Sequence, residues 1–211
     1  MSKPIKLFLG SLSVLLLLGA ALYLGEPEAD AQASDNNPAK LATPKPLSEF
    51  QLMASDGRPL NRDRLKGKWT LLFFGYTHCP DVCPTTLSEL ATMAGQLTPE
   101  IHKDTQFIFV SVDPRRDTPQ SLAEYVQYFD PRFIGATGSI EELAVLVRQL
   151  DSKFSLGTSP LGEAIVNHSS AVMVIDPQVR YYARLSAPHY AEDLLQQYLA
   201  LRQHTPGTPI P

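Results

Sequence analysis

The stretch that decides the fold is "KWTLLFFGYTHCPDVCPTTLSEL", Lys68 to Leu90. It opens on a continuous apolar and aromatic run, as expected of a strand covered on both faces. It closes on a segment with Leu87, Leu90, Ala94 and Leu97 at helical spacing. Between strand and helix stand Cys79 and Cys83, the two cysteines of the chain. The carboxyl edge of a strand in an open α/β sheet is where functional sites collect.

Four readings of the cysteine pair compete: a structural disulfide, a redox pair, a peroxide-reducing nucleophile with its partner, and two ligands for a metal. A loop closed by Cys79 and Cys83 is so short that a bridge removes little entropy from the unfolded chain. A chain of 211 residues with 44% hydrophobic content has core enough without it. With Pro84 at the first helical position, Cys83 is the N-cap residue, and the positive end of the helix is expected to lower its thiol pKa. The peroxidase reading would place its nucleophile in "YTHC", but no peroxide-activating pattern of that Thr together with a partnered Arg is evident.

Working outward, "FQLMASDGRPL" alternates on either side of Asp56-Gly57 and predicts a hairpin. "TQFIFVSVD" is a second buried strand. "TPQSLAEYVQYF" is a helix with Thr118 as N-cap and Pro119 at its first position. "RFIGATG" is a short strand, and Ser139 with Glu142 forms a capping box before another helix. "SAVMVIDP" and "YYARLSA" are consecutive antiparallel strands before the closing helix "YAEDLLQQYLALR". This order predicts an α/β domain of thioredoxin-like fold: a central mixed sheet flanked by helices, preceded by an N-terminal β-hairpin.

The N-terminus carries Lys3 and Lys6 and then the uncharged run Leu7 to Gly25, long enough to cross a hydrocarbon core about 30 Å thick. Glu26, Glu28, Asp30 and Asp35 follow it, so the charge asymmetry puts the N-terminus in the cytoplasm and the rest outside. "AQA" at Ala31 to Ala33 has the form of a cleavage site, but it lies well beyond the end of a run longer than a usual signal-peptide core. The expected division is a cytoplasmic flank and transmembrane helix over 1–25, a flexible tether over 26–43, the folded domain over 44–204 and a tail over 205–211. Without a transit-peptide composition, the expected location is a bacterial inner membrane, single-pass, with the domain in the periplasm. A formal charge of −4 and no basic run with interleaved aromatics exclude a nucleic-acid partner.

The motifs "FGYTHCPDVCPTTL", "VSVDPRRDTP", "FIGATG" and "NHSSAVMVIDP" occur in the order of the Sco/SenC proteins, which this sequence resembles over most of its folded domain. The resemblance implies a membrane-tethered, thioredoxin-like copper chaperone for cytochrome c oxidase assembly, with Cys79, Cys83 and His168 as metal ligands. Copper is expected as Cu(I), with Cu(II) also open. Two thiolates form a soft set that an imidazole can complete.

Of the other histidines, His102 and His204 read as solvated, His189 as part of the start of the last helix, and His78 as projecting away from its neighbour Cys79. The expected partner is the copper-bearing subunit of the oxidase; further partners would be periplasmic copper chaperones and thioredoxin-like reductants. The expectation is a metallochaperone and not a turnover enzyme. The alternative is a thiol-disulfide oxidoreductase that reduces the cysteines of the oxidase copper site, with Cys79 and Cys83 as its redox pair. Against a general oxidoreductase stand the CxxxC spacing and Ser169-Ser170 where thioredoxins place a cis-proline.

Overall fold

The computed structural model describes residues 39–158 and 164–203. The expected transmembrane run, most of the expected tether, the tail and His204 lie outside them. Among the described residues no helix is long and apolar enough to cross a membrane.

The strand β4 (Trp69–Gly75) is buried at all seven positions, because its side chains alternate between two cores. Trp69, Leu71 and Phe73 join one cluster; Leu72 and Phe74 join the other. Each such side chain contributes about 1.5–3 kcal/mol by leaving water. Parallel to β4 runs β5 (Thr105–Ser111), in register from Trp69↔Thr105 to Gly75↔Ser111, and β6 (Ile134–Thr137) follows in parallel. On the other side of β4, β9 (Val172–Ile175) and β10 (Arg180–Leu185) are antiparallel, as their short connection requires.

The hairpin β2 (Gln51–Ala54) and β3 (Pro59–Asn61) forms at Asp56-Gly57 as expected, with Gly57 at φ 76°. It adds to β6 and, with β1 (Ala39–Pro46) at the opposite edge, gives the sheet order β1-β10-β9-β4-β5-β6-β2-β3. A four-residue helix, α1 (Arg62–Leu65), leads from β3 toward β4.

The helices α2 (Val82–Gly95), α4 (Pro119–Phe129) and α6 (Ala191–Gln203) cover the face that carries Trp69, Leu71 and Phe73. The opposite face is covered by α5 (Ile140–Gln149), together with Leu47, Phe50 and Leu65. The N-caps read from the sequence are present: Thr118 accepts from Ser121 N, and Ser139 pairs reciprocally with Glu142. A short helix, α3 (Pro99–Lys103), precedes β5.

Two features depart from the sequence expectation. Strand β1 (Ala39–Pro46) pairs with β10, so the sheet takes in residues 39–43 of the expected tether. Its prolines sit on a sheet edge, where a missing N–H breaks no ladder. A separate two-stranded ribbon, β7 (Phe154–Thr158) with β8 (Ala164–His168), sets Phe154 opposite His168.

Candidate metal centre

Chain direction carries β4 into a tight loop and then into α2. Gly75, the last residue of β4, is forced to lack a side chain: a Cβ there would stand 2.5 Å from Phe109 Cε2 and 2.8 Å from Cys83 Sγ. The loop turns at Cys79, whose N–H donates to Tyr76 O at 3.2 Å.

The N-cap of α2 is Asp81, and Thr85 N–H donates to Asp81 O at 3.1 Å, so Cys83 lies inside the first helical turn and is not the N-cap. Pro84 is the third helical residue. Proline is tolerated anywhere in the first turn, because those N–H groups have no intrahelical acceptor. The consequence for the thiol reverses the expectation: Cys83 is fully buried, and burial, followed by its hydrogen bond with Cys79, pushes its pKa far up. In the metal-free protein Cys83 is therefore a thiol. Its backbone N–H donates to Cys79 Sγ at 3.3 Å, and both cysteines are free.

His168, the last residue of β8, brings the third donor. Its Nδ1 lies 2.9 Å from Ser169 O. A carbonyl oxygen can only accept, so Nδ1 carries the proton and Nε2 keeps the lone pair. Nε2 stands 3.4 Å from Cys83 Sγ. Burial lowers the His168 pKa, which keeps the ring neutral and the lone pair available. The ring is fixed edge-on between Phe73 and Tyr76, each with its centroid 5.9 Å away. Donor atoms of Cys79, Cys83 and His168 all lie within 4.8 Å of one another.

The other described histidines stay outside this cluster. His78 is exposed beside Thr77 and 3.9 Å from Asp117 Oδ1. His102 lies against Arg132, and His189 makes a 2.7 Å hydrogen bond to Ser170 O that ties the start of α6 to the loop after His168.

The "DPRRDTP" segment, read as scaffold, holds the cysteine loop directly. Buried Asp117 accepts from Thr77 N–H (2.9 Å), from the Thr77 hydroxyl (2.5 Å) and from the Ser111 hydroxyl (2.5 Å). Arg116, paired with Asp113, lies 5.7 Å over the Tyr76 ring that packs on His168. The sequence reading did not assign Gly75, Tyr76 and Thr77 to the site. Their adjacency to CxxxC was the available signal.

A structural zinc site takes four protein ligands. Here two sulfurs and one imidazole nitrogen converge among the described residues, a soft and low-coordinate set that fits Cu(I).

The SCO1/SenC family profile matches residues 39–202. A protein of Stutzerimonas stutzeri that carries a copper-binding name is 36% identical over 176 residues, 82% of this chain and 86% of that one. The bovine mitochondrial SCO2 homologue is 36% identical over 157 residues, 72% of this chain and 59% of its own length. Among solved structures, Arabidopsis thaliana ScoI with copper bound superposes with a TM-score of 0.69 at 32% identity, over 75% of this chain and 98% of that one. The chain spans about half the length of the mitochondrial relatives it matches.

Proposed function

The chain belongs to the SCO1/SenC family, and from that premise we propose that it is a metallochaperone. It carries Cu(I) as cargo on Cys79, Cys83 and His168 and delivers it to the dinuclear copper centre of cytochrome c oxidase during assembly. The observation that carries this reading is the convergence of two sulfurs and an unprotonated imidazole nitrogen within 4.8 Å. The copper-binding name of one relative and the copper bound in the Arabidopsis structure support the choice of metal. The oxidase as recipient rests on the family resemblance.

Loading releases the protons that the cysteine thiols hold in the metal-free protein, because thiolates are the ligands. Transfer then proceeds by ligand exchange with no change of oxidation state. The uncharged run 7–25 anchors the domain in a bacterial inner membrane with its N-terminus cytoplasmic, and the segment before β1 spaces the site from the periplasmic surface. Residues 205–211 form a tail beyond the domain.

Competition titration of the reduced chain with Cu(I) and a chromophoric chelator tests the reading. The expected result is one copper per chain, with affinity lowered by at least about 100-fold in Cys79→Ala or Cys83→Ala. Undiminished binding by the double variant would falsify it.

A second reading, reduction of the oxidase cysteines by the same pair, is favoured by one contrast. Cys79 is partly exposed while Cys83 is buried against it, an arrangement suited to an attacking and a resolving thiol. Full oxidase assembly in cells carrying His168→Ala would favour electron transfer over metal delivery.

A further inference from the structure

His168 has a second environment. It also walls an open groove of about 590 Å³, whose other lining residues include Asp151, Ser152, Lys153, Ser169 and Arg184. The one carboxylate among these is engaged elsewhere: Asp151 pairs with Lys45 at 2.5 Å. Lys153 has no carboxylate partner among the described residues, and Arg184 donates from Nη2 to Ser169 Oγ at 3.1 Å without meeting a carboxylate there. Ser152 is only 8% exposed, and its Oγ has no hydrogen-bond partner. On a chain with a formal charge of −4, the groove beside the metal centre is thus locally positive, while the Ser152 hydroxyl is closed off from it.

We propose that this groove is an anion subsite that seats the carboxylates of the thiolate carrier exchanging copper with Cys79, Cys83 and His168. The proposal rests on the copper-carrying function above. Arg184 and Lys153 suit carboxylates chemically, the first through a planar fork and the second as a point charge. A carrier held there has its own thiolates beside the His168 face of the centre. Two bonds from Cu(I) to carrier thiolates break as bonds to the Cys79 and Cys83 thiolates form. The two cysteine protons pass to the departing carrier thiolates, and copper remains Cu(I).

The groove is tested first without metal. The reduced full chain in detergent is titrated with succinate and with uncharged succinamide while the amide resonances of Ser152, Lys153 and Ser169 are followed. Saturable shifts with succinate alone, weakened about tenfold in Arg184→Gln, are expected; equal response to both probes, or none, overturns the proposal.

Copper transfer is then timed at low salt from two pairs of donors. One pair is Cu(I)-glutathione and Cu(I)-2-mercaptoethanol; the other is a two-cysteine peptide bearing Glu and the same peptide bearing Gln. The charged donor is expected to be faster by about tenfold, with that ratio falling to about one in Lys153→Gln and in high salt. An advantage with glutathione identifies a small anionic thiol as the carrier, and one with the Glu peptide alone identifies an acidic protein segment. A ratio near one for both pairs in the wild type overturns the proposal. Failure of copper binding alongside intact succinate binding defeats the chaperone reading and leaves the anion site standing.

Discussion

Asp117 grips Thr77 at both its backbone and its hydroxyl, at 2.9 and 2.5 Å, and Thr77 stands two residues before Cys79. A buried carboxylate 40 residues along the chain therefore fixes the loop that carries the first sulfur. Replacement by Ala leaves the Thr77 N–H and the buried Ser111 hydroxyl without their acceptor, while the Thr77 hydroxyl keeps His78 Nδ1, 3.0 Å away. Each orphaned buried group costs about 1–3 kcal/mol. We expect Asp117→Ala to lose about 3–5 kcal/mol in denaturant melts and to bind Cu(I) more weakly. Asp117→Asn keeps one acceptor oxygen and should fall between. Wild-type affinity in Asp117→Ala would show that the network supports the fold without positioning the cysteine.

Gly75 and Gly95 bracket the same segment and should respond in opposite senses to Ala. A Cβ at Gly75 meets Phe109 and the Cys83 sulfur, whereas at Gly95 it meets nothing within 4 Å. Overpacking costs about 1–3 kcal/mol, and a helical Gly replaced by Ala gains up to about 1 kcal/mol. The expected outcome is a lower midpoint and weaker copper binding for Gly75→Ala, with a slightly raised midpoint for Gly95→Ala. Paired thermal melts decide it, and a Gly75→Ala protein as stable as wild type would rule out the close packing of strand, sulfur and phenyl ring.

Legibility in the sequence followed physical cause. The hairpin at Asp56-Gly57, the two buried parallel strands and the capped helices were readable because turn chemistry, burial on both faces and N-caps are local rules. The strand Ala39–Pro46 was not, since an edge strand with two prolines and polar residues carries little signal, and its pairing with Arg180–Leu185 is long-range. The ribbon that delivers His168 is equally quiet, and none of its residues was read as a strand. Cys79, Cys83 and His168 were named in advance through the motif resemblance, and the structure brings their donor atoms together. The setting of Cys83 was misjudged because Pro84 marks the first turn of a helix without saying which residue of that turn it is.

Far from the metal centre, Asp56 makes acid stability measurable. Hydrogen bonds from Arg64, assisted by Arg58, hold its carboxyl well below the ordinary value of 3.8. With the folded pKa below the unfolded one, the stabilisation is complete above about pH 4 and is lost as pH falls toward the folded value. The pair is partly exposed, so solvent screening limits its size. Wild type should exceed Asp56→Asn by about 2–4 °C in midpoint near pH 6, a gap that narrows as pH approaches about 2. A gap independent of pH would mean that the arginines stabilise the turn without the carboxylate charge.

The two sulfurs should differ in reactivity as sharply as they differ in burial. Alkylation needs a reachable thiolate. Cys83 is fully buried with its pKa pushed far up, whereas Cys79 sits partly exposed on the loop. Brief iodoacetamide treatment of the reduced, copper-free chain near neutral pH should therefore label Cys79 first, by at least about tenfold in rate. Peptide mass spectrometry over a time course reads both sites in one sample, and denatured protein supplies the reference in which the two rates converge. Cu(I) loading should protect both sulfurs, since a sulfur bound to metal has lost its free thiolate. In the thiol-exchange reading the same asymmetry makes Cys79 the attacking sulfur, so a disulfide-bonded target peptide, releasing its other sulfur as a thiol, should be trapped as a mixed disulfide by Cys83→Ala much faster than by Cys79→Ala. Preferential labelling of Cys83 would contradict both its burial and that order of attack.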